Sequence, residues 1–395
     1  MLAVMWPQAR LGGCALRPAT NSSVHAPSTE GPILVARPRL PSAEAILPYL
    51  RQIDGARWYS NFGPLLTAFE ARLAERFGPA ATIVTAVNAT QALTLTLKAM
   101  NLEPGGLCAA PAWTFVATAH AILEAGLTPW FVDVDHDSWM LEPDQMRAAL
   151  TRAPGPVRAV IPVAAFGRSV DLEGWKAFRD ETGVPVLVDA AAAFDSAHDA
   201  ELPHVVSLHA TKALGVGEGG FLATTDAALA QRVRQLTTYG FAGSRESHMP
   251  ATNAKLSEYA AAVGLAALDG WPGDRLRFGL AAMNLRLAAG RLKDVTFQPG
   301  WGEAWVTSVC VVRTPDGTAS AVEAALAKAG VDTRRWWGEG CHRSAAFAGL
   351  PHDDLGVTER LAGATIGLPF AVDQTPEEAA FIAEALDGAL RQATA

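Results

Sequence analysis

A lysine between an apolar run and a cluster of glycines is the first feature of this sequence that could carry chemistry. Lys212 closes the segment SLHATK, residues 207–212, and four glycines follow within the next eight residues. A lysine held after a buried strand and before a glycine-rich turn is poorly solvated, which lowers its pKa and frees the amine for Schiff-base chemistry. Ser207 adds a hydroxyl that can donate to a phosphate. The alternative is that Lys212 is an ordinary solvated surface charge.

A carboxylate stands at the end of a second apolar run. Asp189 follows Val186, Leu187 and Val188, a pattern that predicts a buried strand ending at an acidic residue. An unpaired buried charge costs several kcal/mol, so this carboxylate needs a metal, a base or a cationic ligand group. No metal-ligating side chains lie nearby in the sequence, which favours a cationic ligand group. The alternative is that Asp189 caps a helix over the alanines at 190–193.

The third feature is a strand that turns directly into a helix at residues 87–91, VNATQ. We predict that the helix begins at about Thr90. A helix N-terminus offers unpaired N–H groups and the positive end of the macrodipole, so this turn is suited to a phosphate, with the Thr90 hydroxyl as a further donor. The alternative is that Thr90 is simply the helix cap.

The three features occur in the order that one cofactor requires. Pyridoxal 5'-phosphate needs donors for its phosphate, a carboxylate for its pyridinium nitrogen and a lysine for its aldehyde. Thr90, Asp189 and Lys212 supply these groups in turn along the chain. The sequence therefore predicts a pyridoxal phosphate site.

Short β-branched runs that alternate with helical patterns position these residues. Helical spacing continues from residue 92 to 100 and again from Val116 to Ala125. The seven predicted strands are 82–87, 106–110, 129–134, 157–163, 185–189, 205–209 and 220–224. This alternation is typical of a mostly parallel sheet covered by helices, which binds ligands at the carboxyl ends of its strands.

The chain divides into three predicted parts. Residues 1–31, rich in Pro, Ser, Thr and Asn towards their end, are predicted to be a poorly ordered leader. Residues 32–270 form the large α/β domain. Residues 271–395 form a smaller α+β domain with long helices and a strand at 305–312. No run of eighteen apolar residues occurs, so no membrane span is expected.

Composition limits the class of protein. The 395 residues are 50% hydrophobic and 18% charged, enough for a large core that needs no disulfide or structural metal. The four cysteines lie far apart, so neither a zinc cage nor a secreted disulfide framework is expected, and the reducing cytoplasm fits best. The net charge of −8 disfavours nucleic acid and anionic membranes as partners. A small-molecule substrate is the expected partner.

Six segments between about Ile33 and the C-terminus form a pattern that extends beyond the three features above. They are ARPRLP, SNFGPL-x3-FE, PAWTFVATA, SLHATK-x4-GEGG, TNAKLSEYAAAVG and ERLAGATIGLPF. Together they resemble the DegT/DnrJ/StrS family of fold-type I, pyridoxal phosphate-dependent nucleotide-sugar aminotransferases. The resemblance implies an aspartate aminotransferase-like α/β fold with a mostly parallel seven-stranded sheet and a smaller C-terminal α+β domain. It also implies transfer of an amino group from L-glutamate to a nucleoside-diphosphate keto-(6-deoxy)hexose in aminosugar biosynthesis.

The resemblance also assigns roles to residues of the site. Lys212 would carry the cofactor as a Schiff base and move the proton, and Asp189 would pair with the pyridine nitrogen. Phe115 would stack on the ring, with plain core packing as the alternative. The phosphate would be held by Thr90, the Gln91 amide and Ser207, together with Asn253 from the other subunit. A complete site would therefore require a homodimer.

The resemblance also points to two residues that would contact the substrate. His342 lies in a stretch that resembles the family's approach to the sugar, and Lys255 is a cation near the expected diphosphate path. Both residues have the alternative of being ordinary surface side chains. Ala192, Ala164 and Lys255 replace the Gln or His, the His and the Arg that are common in relatives, which affects substrate identity and leaves the cofactor chemistry intact. Lys212 argues against sugar dehydration, for which relatives carry histidine.

Two other functions remain open from the sequence. One is pyridoxal phosphate-dependent amination of a non-nucleotide ketone such as a cyclitol or a polyketide-type ketone. The other is a non-catalytic regulator that binds the cofactor.

Overall fold

The computed structural model describes residues 31–394, so nearly all of the predicted leader at 1–31 lies outside the described part of the chain. The first described residues pair with the C-terminal region: Ile33 forms a parallel bridge with Val331, and Ala36 forms one with Phe370. Within residues 31–394, no helix is long and apolar enough to cross a membrane.

Seven strands form the central sheet, and one of them runs opposite to the other six. The strands are β1 (Thr82–Ala86), β2 (Leu107–Pro111), β3 (Thr128–Val132), β4 (Val157–Val160), β5 (Val188–Asp189), β6 (His204–Ser207) and β7 (Gly220–Thr224). Strands β3-β2-β4 and β5-β6-β7-β1 form two sections, and parallel bridges from Val160 to Val186 and from Val163 to Asp189 join them. Strand β7 is antiparallel to β6 and β1. The predicted mostly parallel sheet of seven strands is confirmed.

Strands β4 and β5 are shorter than the predicted ranges 157–163 and 185–189. Pro162 and Pro185 have no N–H group and interrupt the ladder at this junction, because proline cannot donate to a neighbouring strand. Their carbonyls still accept, from the Asp189 N–H at 3.0 Å and the Val160 N–H at 2.9 Å. The two sections therefore stay bonded where the strand pattern breaks.

Both faces of the sheet are buried, which explains the continuous apolar runs of its strands. Successive side chains of a strand point to opposite faces of the sheet. Alternate residues of these strands accordingly belong to two different apolar clusters. One face presents Ile83, Ala109, Val160, Val188, Val206 and Phe221. The other presents Val84, Cys108, Ala159, Leu187, Val205 and Leu222.

Eleven helices surround the strands in the described part of the chain. They are α1 (Ala43–Ala56), α2 (Pro64–Ala74), α3 (Ala89–Ala99), α4 (Val116–Glu124), α5 (Pro143–Leu150), α6 (Leu172–Thr182), α7 (Ala227–Leu236), α8 (Glu258–Ala289), α9 (Ala319–Lys328), α10 (Gly356–Ala364) and α11 (Pro376–Thr394). The predicted boundary at 270 falls inside α8, so the division into two domains stays a prediction.

A small antiparallel sheet lies in the C-terminal region. Its strands β8 (Thr296–Phe297), β9 (Cys310–Arg313) and β10 (Thr365–Leu368) are arranged in the order β10-β9-β8. The strand predicted at 305–312 corresponds to β9, which begins only at Cys310. Residues 301–305 form a turn instead, held by a hydrogen bond from the Trp305 indole to the Pro299 carbonyl at 3.2 Å.

Candidate active site

The start of α3 forms the first part of the site, directly after β1. Asn88 is the N-cap, and its Oδ1 accepts from the Gln91 N–H at 2.8 Å. The alternative that Thr90 caps this helix is therefore wrong, since Thr90 is the second helical residue. Within the described chain, the Thr90 hydroxyl has no hydrogen-bond partner, so it is free to donate to an anion at the helix N-terminus.

Gly220 brings the sheet against this helix start. In the strand register Gly220 lies opposite Ala86 on one side and Ser207 on the other. A Cβ at Gly220 would lie 2.4 Å from the Ala89 nitrogen, so only glycine permits this approach. Ser207 is therefore two strands, about 10 Å, from Ala86 in the same row across the sheet. Its role as a phosphate donor stays a prediction.

Two of the predicted phosphate donors already have partners. The Ser207 Oγ accepts from the His209 N–H at 3.2 Å, which leaves its own hydrogen available. The Gln91 side chain donates to the Glu124 carboxylate at 2.9 Å, and its N–H donates to Asn88. The role of Gln91 as a phosphate donor stays a prediction. It requires that a Gln91 donor leave Asn88 or Glu124 and bond to the phosphate instead.

Asp189 ends β5 and is only 5% exposed. Its Oδ2 accepts from the Thr118 hydroxyl at 2.8 Å, and its Oδ1 accepts from the Ala191 N–H at 3.1 Å. Burial raises the pKa of Asp189, while the two donors and the charge of Lys212 oppose that rise. The chain continues from here as turns, so the alternative that Asp189 caps an alanine-rich helix is wrong.

Lys212 lies in a tight turn after β6. Its backbone N–H donates to the His209 carbonyl at 2.9 Å. The Ser308 hydroxyl donates to the carbonyl of the neighbouring Thr211 at 2.6 Å. Burial lowers the pKa of Lys212, and the negative charge of Asp189 opposes this. The poorly solvated amine that Schiff-base chemistry requires is therefore present.

A small pocket lies beside this turn. Its walls include Lys212, Arg39, Ser308 and Phe370. The start of the described chain, the turn after β6 and the C-terminal region therefore all line this pocket.

Helix α4 presents an aromatic ring at its start. Phe115 is the N-cap of α4 and is 55% exposed, whereas Trp113 is buried. The alternative that Phe115 packs in the core is therefore wrong. An exposed ring directly before the helix that holds Asp189 through Thr118 is available to stack on a ligand.

Asn253 and Lys255 lie on either side of Ala254, whose carbonyl accepts from the Val87 N–H at 2.9 Å directly after β1. Asn253 is exposed and Lys255 is half-buried. The Lys255 ammonium donates to the Asn253 Oδ1 and lies 4.9 Å from the centre of the Tyr239 ring. Burial lowers the pKa of Lys255. The assigned roles of both residues stay predictions.

His342 lies in a short 3₁₀ turn, residues 341–343, that the Cys341 N–H ties to the Ala112 carbonyl at 2.8 Å. Both of its ring nitrogens are buried without a partner among the described residues. Burial lowers the pKa of His342, and the charges of Arg343 and His352 add to that. This turn therefore lies next to the loop that leads to Phe115.

Two of the three departures from the family pattern lie near Asp189. Ala164 is buried, and its N–H donates to the Asp189 carbonyl at 2.9 Å. The Ala192 carbonyl accepts from the Thr307 hydroxyl at 3.5 Å. A Cβ at Gly167 would lie 2.9 Å from that same carbonyl, so the backbone here is closely packed.

A model of the DegT/DnrJ/EryC1/StrS aminotransferase family matches residues 42–387. The chain belongs to this family. The erythromycin biosynthesis sensory transduction protein EryC1 of Saccharopolyspora erythraea is 31% identical over 350 residues, 83% of this chain and 91% of its own length. The dTDP-4-amino-4,6-dideoxy-D-glucose transaminase of Shigella dysenteriae is 31% identical over 246 residues, 61% of this chain and 65% of its own. The structure of DesI in the presence of its TDP-sugar product has a TM-score of 0.83 at 33% identity, covering 92% of this chain and 95% of DesI.

Membership of the DegT/DnrJ/EryC1/StrS family confirms the predicted fold, cofactor and reaction class. The protein is a pyridoxal phosphate-dependent aminotransferase of a sugar aminotransferase family. Within residues 31–394 no group of three or more His, Cys, Asp or Glu side chains is arranged to hold a metal ion.

The described residues fit pyridoxal phosphate. Gly220 opens the approach to the N-terminus of α3, where an anion is favoured. Asp189 is a buried carboxylate that suits a cationic ring nitrogen, and Phe115 is an exposed ring at the same edge of the sheet. Lys212 supplies an amine with a lowered pKa. A seat for the phosphate, a carboxylate for the ring nitrogen and a lysine for the aldehyde are groups that the cofactor requires.

Sequence reasoning missed Thr114 and Thr118. The two hydroxyl oxygens are 2.9 Å apart, and Thr118 donates to Asp189. Thr118 lies on the predicted helix at 116–125, but Thr114 lies in the loop before the N-cap Phe115, so helical spacing does not pair the two. The partner Asp189 is 71 residues further along the chain, and no local pattern predicts that contact.

Proposed function

We propose that this aminotransferase moves an amino group from L-glutamate to a nucleoside-diphosphate keto-(6-deoxy)hexose. The observation that carries the proposal is the arrangement of Lys212, Asp189 and the start of α3 at one edge of the sheet. DesI, with its TDP-sugar product, and the Shigella transaminase support a nucleotide-linked sugar as the substrate class.

Lys212 is the residue that we propose moves the proton. Because burial lowers its pKa, a larger fraction of its amine is neutral near pH 7 than in an exposed lysine, and only the neutral amine accepts a proton. Pyridoxal phosphate, when bound, supplies the electron sink for this proton transfer. The buried carboxylate of Asp189 keeps the ring nitrogen of the cofactor protonated, which strengthens that sink.

Other residues hold the cofactor in place. Thr90 and Ser207 donate hydroxyl hydrogens to its phosphate, and the N-terminus of α3 adds a favourable dipole. Phe115 covers one face of the ring. Asn253 completes the phosphate site from the second subunit of a homodimer.

The test is incubation of the pure enzyme with L-glutamate and a panel of keto compounds, read by mass spectrometry. The panel contains nucleotide keto-sugars, cyclitol ketones and polyketide-type ketones. Amination of a nucleotide keto-sugar alone supports the proposal. Amination only of a non-nucleotide ketone refutes the substrate class, and bound cofactor that glutamate does not convert refutes the amino donor.

A further inference from the structure

The hydroxyls of Thr118 and Thr114 form a chain of fixed direction that ends on Asp189. Both side chains are buried, at 0% and 1% exposure. An ionised carboxylate only accepts hydrogen bonds, so the single hydrogen of Thr118 must point to the Asp189 Oδ2, 2.8 Å away. The Thr118 oxygen, 2.9 Å from that of Thr114, then accepts, and Thr114 must be the donor. Successive donors of this kind strengthen one another.

We propose that Thr118 is a positioning residue that keeps Asp189 ionised and oriented towards the ring nitrogen of the cofactor, with Thr114 orienting Thr118. The proposal rests on the proposed pairing of Asp189 with that nitrogen. Thr118 occupies Oδ2 and the Ala191 N–H occupies Oδ1, so both oxygens of the carboxylate are held by donors. The carboxylate cannot rotate without losing both.

The position of Thr118 in α4 supports this role. It is the third residue of the helix, and Phe115 is the N-cap. The first turn of a helix favours a neighbouring negative charge through the macrodipole. One helix start therefore fixes both the ring that would face the cofactor and the donor that orients the carboxylate.

A second argument comes from the environment of Asp189. Burial in this apolar site raises its pKa and favours the neutral acid. A neutral acid at this position would leave the ring nitrogen without its charge partner. The Thr118 hydroxyl stabilises the ionised form and so opposes the rise in pKa that burial causes. We therefore expect loss of this hydroxyl to weaken binding of the cofactor.

The test compares Thr118→Val, Thr118→Ser and a matched control, Thr365→Val. Valine has nearly the shape of threonine without the hydroxyl. Thr365 is also buried, and its hydroxyl donates to the Leu361 carbonyl at 2.7 Å in the C-terminal region. The equilibrium affinity of the apoprotein for pyridoxal phosphate and the visible absorbance of the bound cofactor against pH are measured for each variant.

We expect Thr118→Val to weaken cofactor binding roughly tenfold or more, the usual loss for a hydrogen bond to a charged group. The acidic limb of the absorbance titration should move to higher pH by about one unit, because removing a donor raises the pKa of the carboxylate. Thr118→Ser should restore most of both properties, and Thr365→Val should change neither. Cofactor affinity and titration in Thr118→Val equal to those of Thr365→Val would overturn the proposal.

Two features keep this test decisive. If Thr118→Val does not fold, Thr114→Val should shift the titration in the same direction by a smaller amount, and no shift would refute the chain of hydroxyls. If the substrate panel shows no accepted keto-sugar, cofactor affinity and absorbance still report on Asp189. Failure of the proposed substrate is therefore distinguishable from failure of the role of Thr118.

Discussion

The two titrating residues of the site oppose each other's shifts. Burial lowers the pKa of Lys212 and raises that of Asp189, and in both cases the partner's charge acts in the other direction. The pKa of each residue is therefore less perturbed than it would be without the other. This coupling makes the lysine the first target for a test.

Lys212→Ala should abolish covalent retention of the cofactor, since the variant has no amine at this position. The unmodified protein should hold pyridoxal phosphate in a form that borohydride reduces to a stable secondary amine. Peptide mapping after reduction should place the label on the segment that contains Lys212. A label on another lysine would refute the assignment.

Lys255→Ala separates a substrate contact from a cofactor contact. If Lys255 binds the diphosphate, its loss should raise the KM for the nucleotide sugar roughly tenfold, as for a charged hydrogen bond, and leave the glutamate half-reaction unchanged. Lys255 also donates to Asn253, so equal losses in both half-reactions would place its effect on the cofactor instead. The exposed Lys293→Ala is the control.

At the scale of elements, the sequence predicted all seven strands of the sheet because both of its faces are buried and its runs are apolar. The sequence predicted the start of α3 to within one residue. It also predicted that Asp189 ends a strand. The alanines after Asp189 have high helix propensity, yet they form turns. Asp195 explains this: it accepts from Arg275 at 2.7 Å and from the Val306 N–H at 3.0 Å, tertiary contacts that override local propensity.

Gly220→Ala tests the contact between β7 and α3. The added Cβ would meet the Ala89 nitrogen at 2.4 Å, so strand and helix must separate. We expect a loss of about 1–3 kcal/mol in the free energy of unfolding and weaker binding of pyridoxal phosphate.

Gly55→Ala is the control for this variant, since its Cβ meets no atom within 4 Å and lies in α1. It should be neutral or slightly stabilising. Denaturant unfolding and cofactor titration measure both variants. Unchanged cofactor affinity in Gly220→Ala would show that this approach does not shape the phosphate site.

At the scale of the whole molecule, the proposed homodimer predicts complementation. Mixing the inactive variants Lys212→Ala and Asn253→Ala should restore activity, because one site of the mixed dimer has Lys212 from one chain and Asn253 from the other. A mixture of Lys212→Ala with the double variant contains no intact site and should stay inactive. No recovery despite demonstrated subunit exchange would refute the shared site.

The pocket beside Lys212 sets an order of events during synthesis of the chain. Its walls come from both ends of the described sequence, with Arg39 near the start and Phe370 near the end. Arg37 is tied to Glu378 by a bidentate ion pair across 341 residues, so this wall closes only after the C-terminal region has left the ribosome. A nascent chain can therefore form the seven-stranded sheet, with Lys212 and Asp189 already on it, before that wall exists. Stable capture of the cofactor should follow release of the chain, and ribosome-bound chains that stop before residue 370 should fail to retain it.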